Sequence, residues 1–178
     1  MKKLLISTLF TLPLILLSAI VVNQTSGVLG GKGYARTHDF VVTATQFNLS
    51  ISEPNENGVR SIKLIVPVKE IDTGIGMRNT HMRTSMFDMK KNPDIIFTAK
   101  TTASLTAGEV ILNGALTING VTNNHELHIT VSENAGDLVA IGKTTISLEN
   151  YDLPLLGMGP MKLLDQVDMA FNIVLPNK

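Results

Sequence analysis

The chain has 178 residues, no cysteine, and 15 basic against 15 acidic side chains. That length supplies about one domain with a substantial core, and the lack of cysteine excludes structural disulfides and lipoprotein acylation. Without Lys2 and Lys3 the balance falls to 13 against 15, a formal charge of −2, and there are no Trp, two Tyr and six Phe; neither the basic stripe nor the stacking platforms of a nucleic-acid binder are present.

Residues 1–27 read as a signal peptide or membrane anchor. Lys2 and Lys3 form a basic start, and the following 19 residues, 4–22, carry no charge. Such a run is long for a signal core and close to the ~20 residues that span a bilayer, so a cleaved signal and a retained helical anchor both fit. Thr25 and Gly27 offer small residues for cleavage, and Pro13 favours a signal. The flanking lysines favour an N-terminus held in the cytoplasm, with the domain exported across the inner membrane to a periplasmic or other extracytoplasmic location. Residues 28–33, rich in glycine, read as a linker, and a single domain is expected over 34–178.

Phe40 to Ile51 predicts a strand with Val41, Phe47, Leu49 and Ile51 on one parity. The turn-rich segment 53–58 then leads to a second strand with Ile62, Leu64, Val66 and Val68 inward, and Pro67 marks an edge or bulge there. Met77 to Met89 is the one helical pattern beyond residue 27: Arg78, Met82 and Met86 recur every four residues with Phe87 beside them, and Asn92-Pro93 should end it. Strands are expected again at 95–100, 110–118, 125–131, 138–148 and 167–175. Seven or so strands with one short helix predict an all-β antiparallel barrel or sandwich. Asn119-Gly120 is expected to form a hairpin turn, so Gly120→Val should harm the fold more than Gly157→Ala.

Few residues suggest chemistry. Arg78, His81 and Arg83 cluster at the helix start, where guanidinium groups suit an anion; the same arginines could instead tie the helix to Asp72 and Asp88. Met77, Met82, Met86 and Met89 supply four of the seven methionines after Met1, a stripe that suits core packing or an adaptable lipid lining better than Cu(I) ligation. His125 shares a parity with Leu127, Ile129 and Val131 and can reach an interior, while His128 faces solvent, which argues against a metal pair. Gly142-Lys143-Thr144 lacks the upstream glycine of a phosphate loop, since position 137 is Asp137. Asp165 and Asp168 read as solvated carboxylates.

Several of these blocks also occur in a characteristic order. Asp72-Thr73-Gly74, Arg78-x-x-His81-Met82-Arg83, Phe87-Asp88, Pro93-x-Ile95-Ile96-Phe97 and Leu116-Thr-Ile-Asn-Gly-Val-Thr122 together resemble the YceI-like family. The front of that family carries a His-Ser-x-Val-x-Phe element, of which Thr37-His38-Asp39-Phe40 is a loose echo, so a shortened or rebuilt first hairpin is expected. The resemblance implies a lipocalin-like antiparallel β-barrel that binds long isoprenoid lipids, polyprenyl or quinone-like, without catalysis or a cofactor. On this reading the ligand contacts are Arg78, His81, Met82, Met86 and Phe87 around the helix, with Phe97, Leu116, Ile118 and Phe171 on the strands. The expected partners are the isoprenoid, the membrane if the N-terminal segment is retained, and a second copy in a homodimer. A structural module at the membrane surface and a small-molecule enzyme with His81 or His125 as base are the competing readings. A continuous cavity bordered by Phe97, Leu116, Ile118 and Phe171, as opposed to a filled core, separates binding from scaffolding.

Overall fold

The computed structural model describes the backbone of residues 20–22 and 27–176 and the side chains of 27–174. The expected signal or anchor at 1–27 therefore lies almost wholly outside the described residues. Its last apolar residues, Ile20–Val22, form a short strand, β1. The remaining strands are β2 (Gly27–Ala35), β3 (Asp39–Ala44), β4 (Asn48–Ile51), β5 (Arg60–Pro67), β6 (Asp94–Thr101), β7 (Gly108–Ile118), β8 (Val121–Asn134), β9 (Asp137–Ser147) and β10 (Leu163–Pro176).

They form one curled antiparallel sheet in the order β1-β4-β5-β6-β7-β8-β9-β10-β2-β3. The register from β4 to β10 follows chain order, as short hairpins and meanders dictate. β2 then pairs with β10 on one side and β3 on the other, Phe171 opposite Leu29 and Leu29 opposite Ala44. Only residues 45–47 separate β3, at one end of the order, from β4, next to the other.

Three expectations change here. The glycine-rich 28–33 is not a linker but the middle of β2, and with β3 it completes a first hairpin. Two of its glycines receive large neighbours in the space of a side chain: a Cβ on Gly31 would meet Met169 and Val42, and one on Gly33 would meet the Phe40 ring. The single strand expected over 40–51 is two strands, and the alternation changes phase between them. Ala44, Phe47 and Leu49 are buried while Val41 is exposed, because two residues, Thr45 and Gln46, intervene between Ala44 and Phe47 and shift the inward parity by one. The helix is shorter than Met77 to Met89: α1 covers Gly76–His81 and passes into a π-helical turn at Met82–Met86. The Phe87 N–H closes that turn onto the Met82 carbonyl, and Asp88 takes a positive φ of 43°, so the helix stops well before Pro93.

Other details follow the sequence. Pro67 ends β5 beyond the last β4 partner, Ile65, and pairs only with Asp94 of β6; its missing N–H therefore leaves no gap in a two-sided ladder. Asn119 and Gly120 have φ of 52° and 79° between the paired Ile118 and Val121, the left-handed pair a two-residue hairpin turn requires. Most buried residues line the concave face, and Val68, the first residue of the connection after β5, is fully enclosed.

Candidate functional site

The concave face encloses a cavity of about 600 Å³, within the range of small-molecule sites. Its wall is almost entirely apolar because each strand contributes alternate residues. Leu112, Leu116 and Ile118 come from β7, Leu127, Ile129 and Val131 from β8, and Val167, Met169, Phe171 and Ile173 from β10. Rings lie close over glycines of neighbouring strands. A Cβ on Gly114 would meet the Phe97 ring, and one on Gly142 would meet the Phe171 ring. Removing the Cβ lets each aromatic settle against backbone and leaves the centre open.

A hydrogen-bonded polar pair on β8 and β9 interrupts this wall. His125 on β8 shares a 2.8 Å hydrogen bond between Nε2 and Thr144 Oγ1 on β9, and both residues face the cavity. Burial pushes the imidazole below its ordinary value of 6.5, because the charged ring loses more hydration than the neutral one.

The top is built by the segment between β5 and β6. Asp72 exchanges two 2.8 Å backbone hydrogen bonds with Thr43 of β3, and its carboxylate accepts from Asn79 Nδ2 at 2.7 Å and Gly74 N–H at 2.9 Å. The Asn79 and Gly74 bonds hold this carboxyl below the usual range. Buried Thr73 donates N–H and Oγ1 to Asn79 Oδ1 at 2.8 and 2.6 Å. Further along, Asn92 Nδ2 donates to Asn119 Oδ1 at 2.8 Å and to the Phe87 carbonyl at 3.2 Å, so the end of the π turn is fastened to the β7–β8 hairpin.

Residues 22–175 match the sequence model of the YceI-like domain. The chain belongs to the YceI-like family. Solved structures share its fold at low identity. BcnA of Burkholderia cenocepacia is 19% identical with a TM-score of 0.69, over 83% of this chain and 95% of that one. A polyisoprenoid binding domain from Saccharophagus degradans is 14% identical with a TM-score of 0.69, over 90% and 97%. The Campylobacter jejuni YCEI protein is 14% identical with a TM-score of 0.58, over 100% and 99%. No curated protein matches.

The YceI-like blocks recognised in the sequence thus prove to be fasteners as well as lining. Asp72-Thr73-Gly74 clamps α1 to β3, and the Asn119-Gly120 turn holds the Asn92 loop. The nine candidate contacts, Arg78, His81, Met82, Met86, Phe87, Phe97, Leu116, Ile118 and Phe171, all border the one cavity. Met82, Phe87, Phe97, Leu116 and Ile118 are buried in its wall, and His81 is exposed at its edge. Arg78 stacks its guanidinium 4.9 Å from the Phe40 ring centroid.

The expected Arg78, His81 and Arg83 cluster is divided. Arg83 turns away from the cavity and donates from a terminal guanidinium nitrogen to the Ile71 carbonyl at 3.1 Å. Neither arginine is ion-paired to Asp72 or Asp88 among the described residues; Asp88 pairs with Lys91 at 2.8 Å. Of the methionine stripe, Met82 is buried, Met86 is half-buried and Met77 is exposed. His128 faces solvent and bonds Glu126 at 2.8 Å. Asp165 and Asp168 are engaged, not simply solvated: Asp165 accepts from Ser147 Oγ at 2.7 Å, and Asp168 from Tyr34 Oη at 2.6 Å. The candidate set omitted Thr144 and the β2 residue Leu29. Thr144 has the same parity as Ile146 and Leu148, a signal that was available; Leu29 was hidden among glycines.

Proposed function

We propose that this YceI-like chain binds an amphiphilic isoprenoid lipid, polyprenyl or quinone-like, with its tail in the cavity and no catalytic step. One observation carries the reading: Phe97, Leu116, Ile118 and Phe171 border a continuous apolar cavity, where a scaffold would have a filled core. The description of the Saccharophagus degradans relative as a polyisoprenoid binding domain supports the same class of ligand. Tail burial contributes roughly 25 cal/mol per Å² of apolar area, reduced by the cost of ordering a long chain. For such a ligand the curled sheet closes into a lipocalin-like barrel, β1–β4 and β2–β3 acting as two parts of one hairpin, so that no open edge meets the tail. The nine bordering residues are the contacts, with Arg78 and His81 nearest the head group. The basic start and apolar run of residues 1–22 support export, with the barrel beyond the inner membrane.

The test is mass spectrometry of lipid co-purified from the native host, with Phe171→Gln and Arg78→Ala beside the wild type. Phe171→Gln should abolish co-purification, because a polar amide in the wall penalises any tail. Arg78→Ala should weaken only ligands with an anionic head, since a neutral quinone makes little use of a charge-assisted hydrogen bond. Both variants must retain the wild-type circular dichroism spectrum. A folded wild type that carries no lipid and takes up no long-chain isoprenoid in titration would overturn the reading in favour of a structural module.

A further inference from the structure

Four large apolar residues border the cavity and yet lie open to water: Ile75 at 52%, Met77 at 72%, Met161 at 59% and Leu164 at 44% exposure. A residue can do both only at the mouth. Met158, 87% exposed, sits on the same loop as Met161. These side chains come from distant parts of the sequence and are held together by specific bonds. The Arg36 N–H donates to the Lys162 carbonyl at 3.3 Å, Thr37 Oγ1 donates to the Pro160 carbonyl at 3.1 Å, and Arg78 stacks on Phe40 two residues beyond His38. Exposed apolar groups gathered at one place mark a docking surface.

Charge identifies the occupant. The three segments that form the mouth, 35–38, 73–81 and 153–164, contain Arg36, Arg78 and Lys162, two histidines and no carboxylate, in a chain whose 15 basic and 15 acidic side chains balance only as a whole. Of the flanking carboxylates, Asp39 is ion-paired with Lys32, Asp72 accepts from Asn79, Asp165 accepts from Ser147, and Asp152 lies beside the Asn119 turn. A ring of apolar side chains with cations interspersed suits the headgroup layer of an anionic bilayer, where methionine and leucine enter the acyl boundary and the cations meet phosphates. We infer that the mouth docks on an anionic lipid bilayer and that the cavity exchanges its ligand there. The docking argument stands on the rim itself; the exchange step rests on the lipid-binding reading above.

The topology makes this distinct from any attachment through residues 1–22. β10 runs from the mouth at Leu163, opposite Ala35, to the far end at Pro176, opposite Asp137, and Gly27 pairs near that far end with Ile173. The chain enters the sheet earlier still, at Ile20 opposite Ile51, whose β5 partner Ile62 lies near the start of a strand that runs toward the mouth-forming segment, so the entry is at the end away from the mouth.

The test uses the full chain. It has no cysteine, so Met158→Cys at the mouth and Ser132→Cys toward the far end each carry one polarity-sensitive fluorophore. With vesicles of phosphatidylethanolamine and phosphatidylglycerol, the mouth label should shift to the blue and be quenched by bromolipid, while the far label stays as in buffer. Pure phosphatidylcholine vesicles should give a much smaller shift. Arg36→Gln and Lys162→Gln should each weaken the response about fivefold, and Met77→Ser with Met161→Ser should remove the quenching. A shift of the far label alone, equal shifts of both, or no shift would overturn the inference. So would a mouth shift that appears without vesicles as protein concentration rises, which would assign the rim to a second copy. A titration with a long-chain polyprenol in detergent separates the two readings: docking without polyprenol binding sinks the ligand proposal alone, and binding without docking sinks this one alone.

Discussion

Along β5 to β10 and β2 the cavity wall is made of strands paired on both sides, with rings and thioethers lying over glycines, whereas the mouth is made of short segments tied by bonds such as Asp72 to Asn79 and Thr37 to Pro160. In the wall an apolar residue is buried and its neighbours cannot yield without breaking a ladder. At the mouth, apolar residues of the same size remain in water and have room to move. Similar composition therefore does different work: it stabilises the sheet in one place and leaves a recognition surface in the other. A substitution should cost stability in the first and alter binding in the second, unless it strains the backbone.

The largest effect should come from filling a glycine in the wall. A Cβ on Gly142 would press on the Phe171 ring and lie 2.9 Å from the His128 carbonyl oxygen, so relief would require parting β8 from β9. Gly142→Ala should lose about 3 kcal/mol in urea melts, at the upper end for overpacking. Gly33→Ala, toward the mouth, meets only the Phe40 ring among its nearest atoms. That ring can swing aside, and the loss should stay below about 1 kcal/mol. Equal losses would show that ring crowding alone sets the cost and that wall and mouth do not differ as described.

A second pair of glycines reverses an expectation drawn from the sequence. Gly157 has a φ of 98°, and a Cβ there would collide with the Met161 backbone, its carbonyl carbon lying 2.9 Å away. At Gly120 the nearest atom is Asn92 Oδ1 at 3.1 Å, the end of a side chain. Both positions penalise L-residues through positive φ. Only Gly157 adds a backbone collision, so Gly157→Ala should cost about 2 kcal/mol and at least match Gly120→Val. If Gly120→Val proves clearly costlier in the same melts, turn geometry outweighs the tightness of the mouth loop.

How much of this was legible depends on what each residue does. Strands β5 to β10 were readable because their inward residues alternate and several of their connections carry turn signals such as Pro93 and Asn119-Gly120, so the period of two and the chain order agree. β2 was not, since a glycine placed to receive Met169 or Phe40 resembles a glycine in a linker; the partner that gives it meaning is distant in sequence. The break in phase between Ala44 and Phe47 was hidden for a related reason, as Val41 and Leu49 look equally apolar. The candidate site was largely legible in the family blocks. What those blocks did not reveal was that Arg83 serves the Ile71 carbonyl, or that exposed Met77 and Met161 meet at one rim, because only the folded connections bring them together.

The smallest effect tests the hydrogen-bonded polar pair in the wall, His125 and Thr144. With its folded value depressed by burial, His125 binds fewer protons in the folded chain than in the unfolded one just below 6.5. Stability from keeping this ring neutral is therefore full above pH 6.5 and is lost as pH falls from there through the lower folded value. His125→Gln retains a polar group near Thr144 but cannot titrate, so the stability gap between wild type and variant should shrink as the solution is acidified. Urea melts at a series of pH values measure that gap directly, and parallel curves would show that the ring is hydrated as freely as the residues at the mouth. Filling the cavity should sharpen the contrast. A bound tail displaces water from the ring, lowers its folded value further and steepens the acid loss of ligand affinity, whereas a ligand confined to the mouth would leave the slope unchanged.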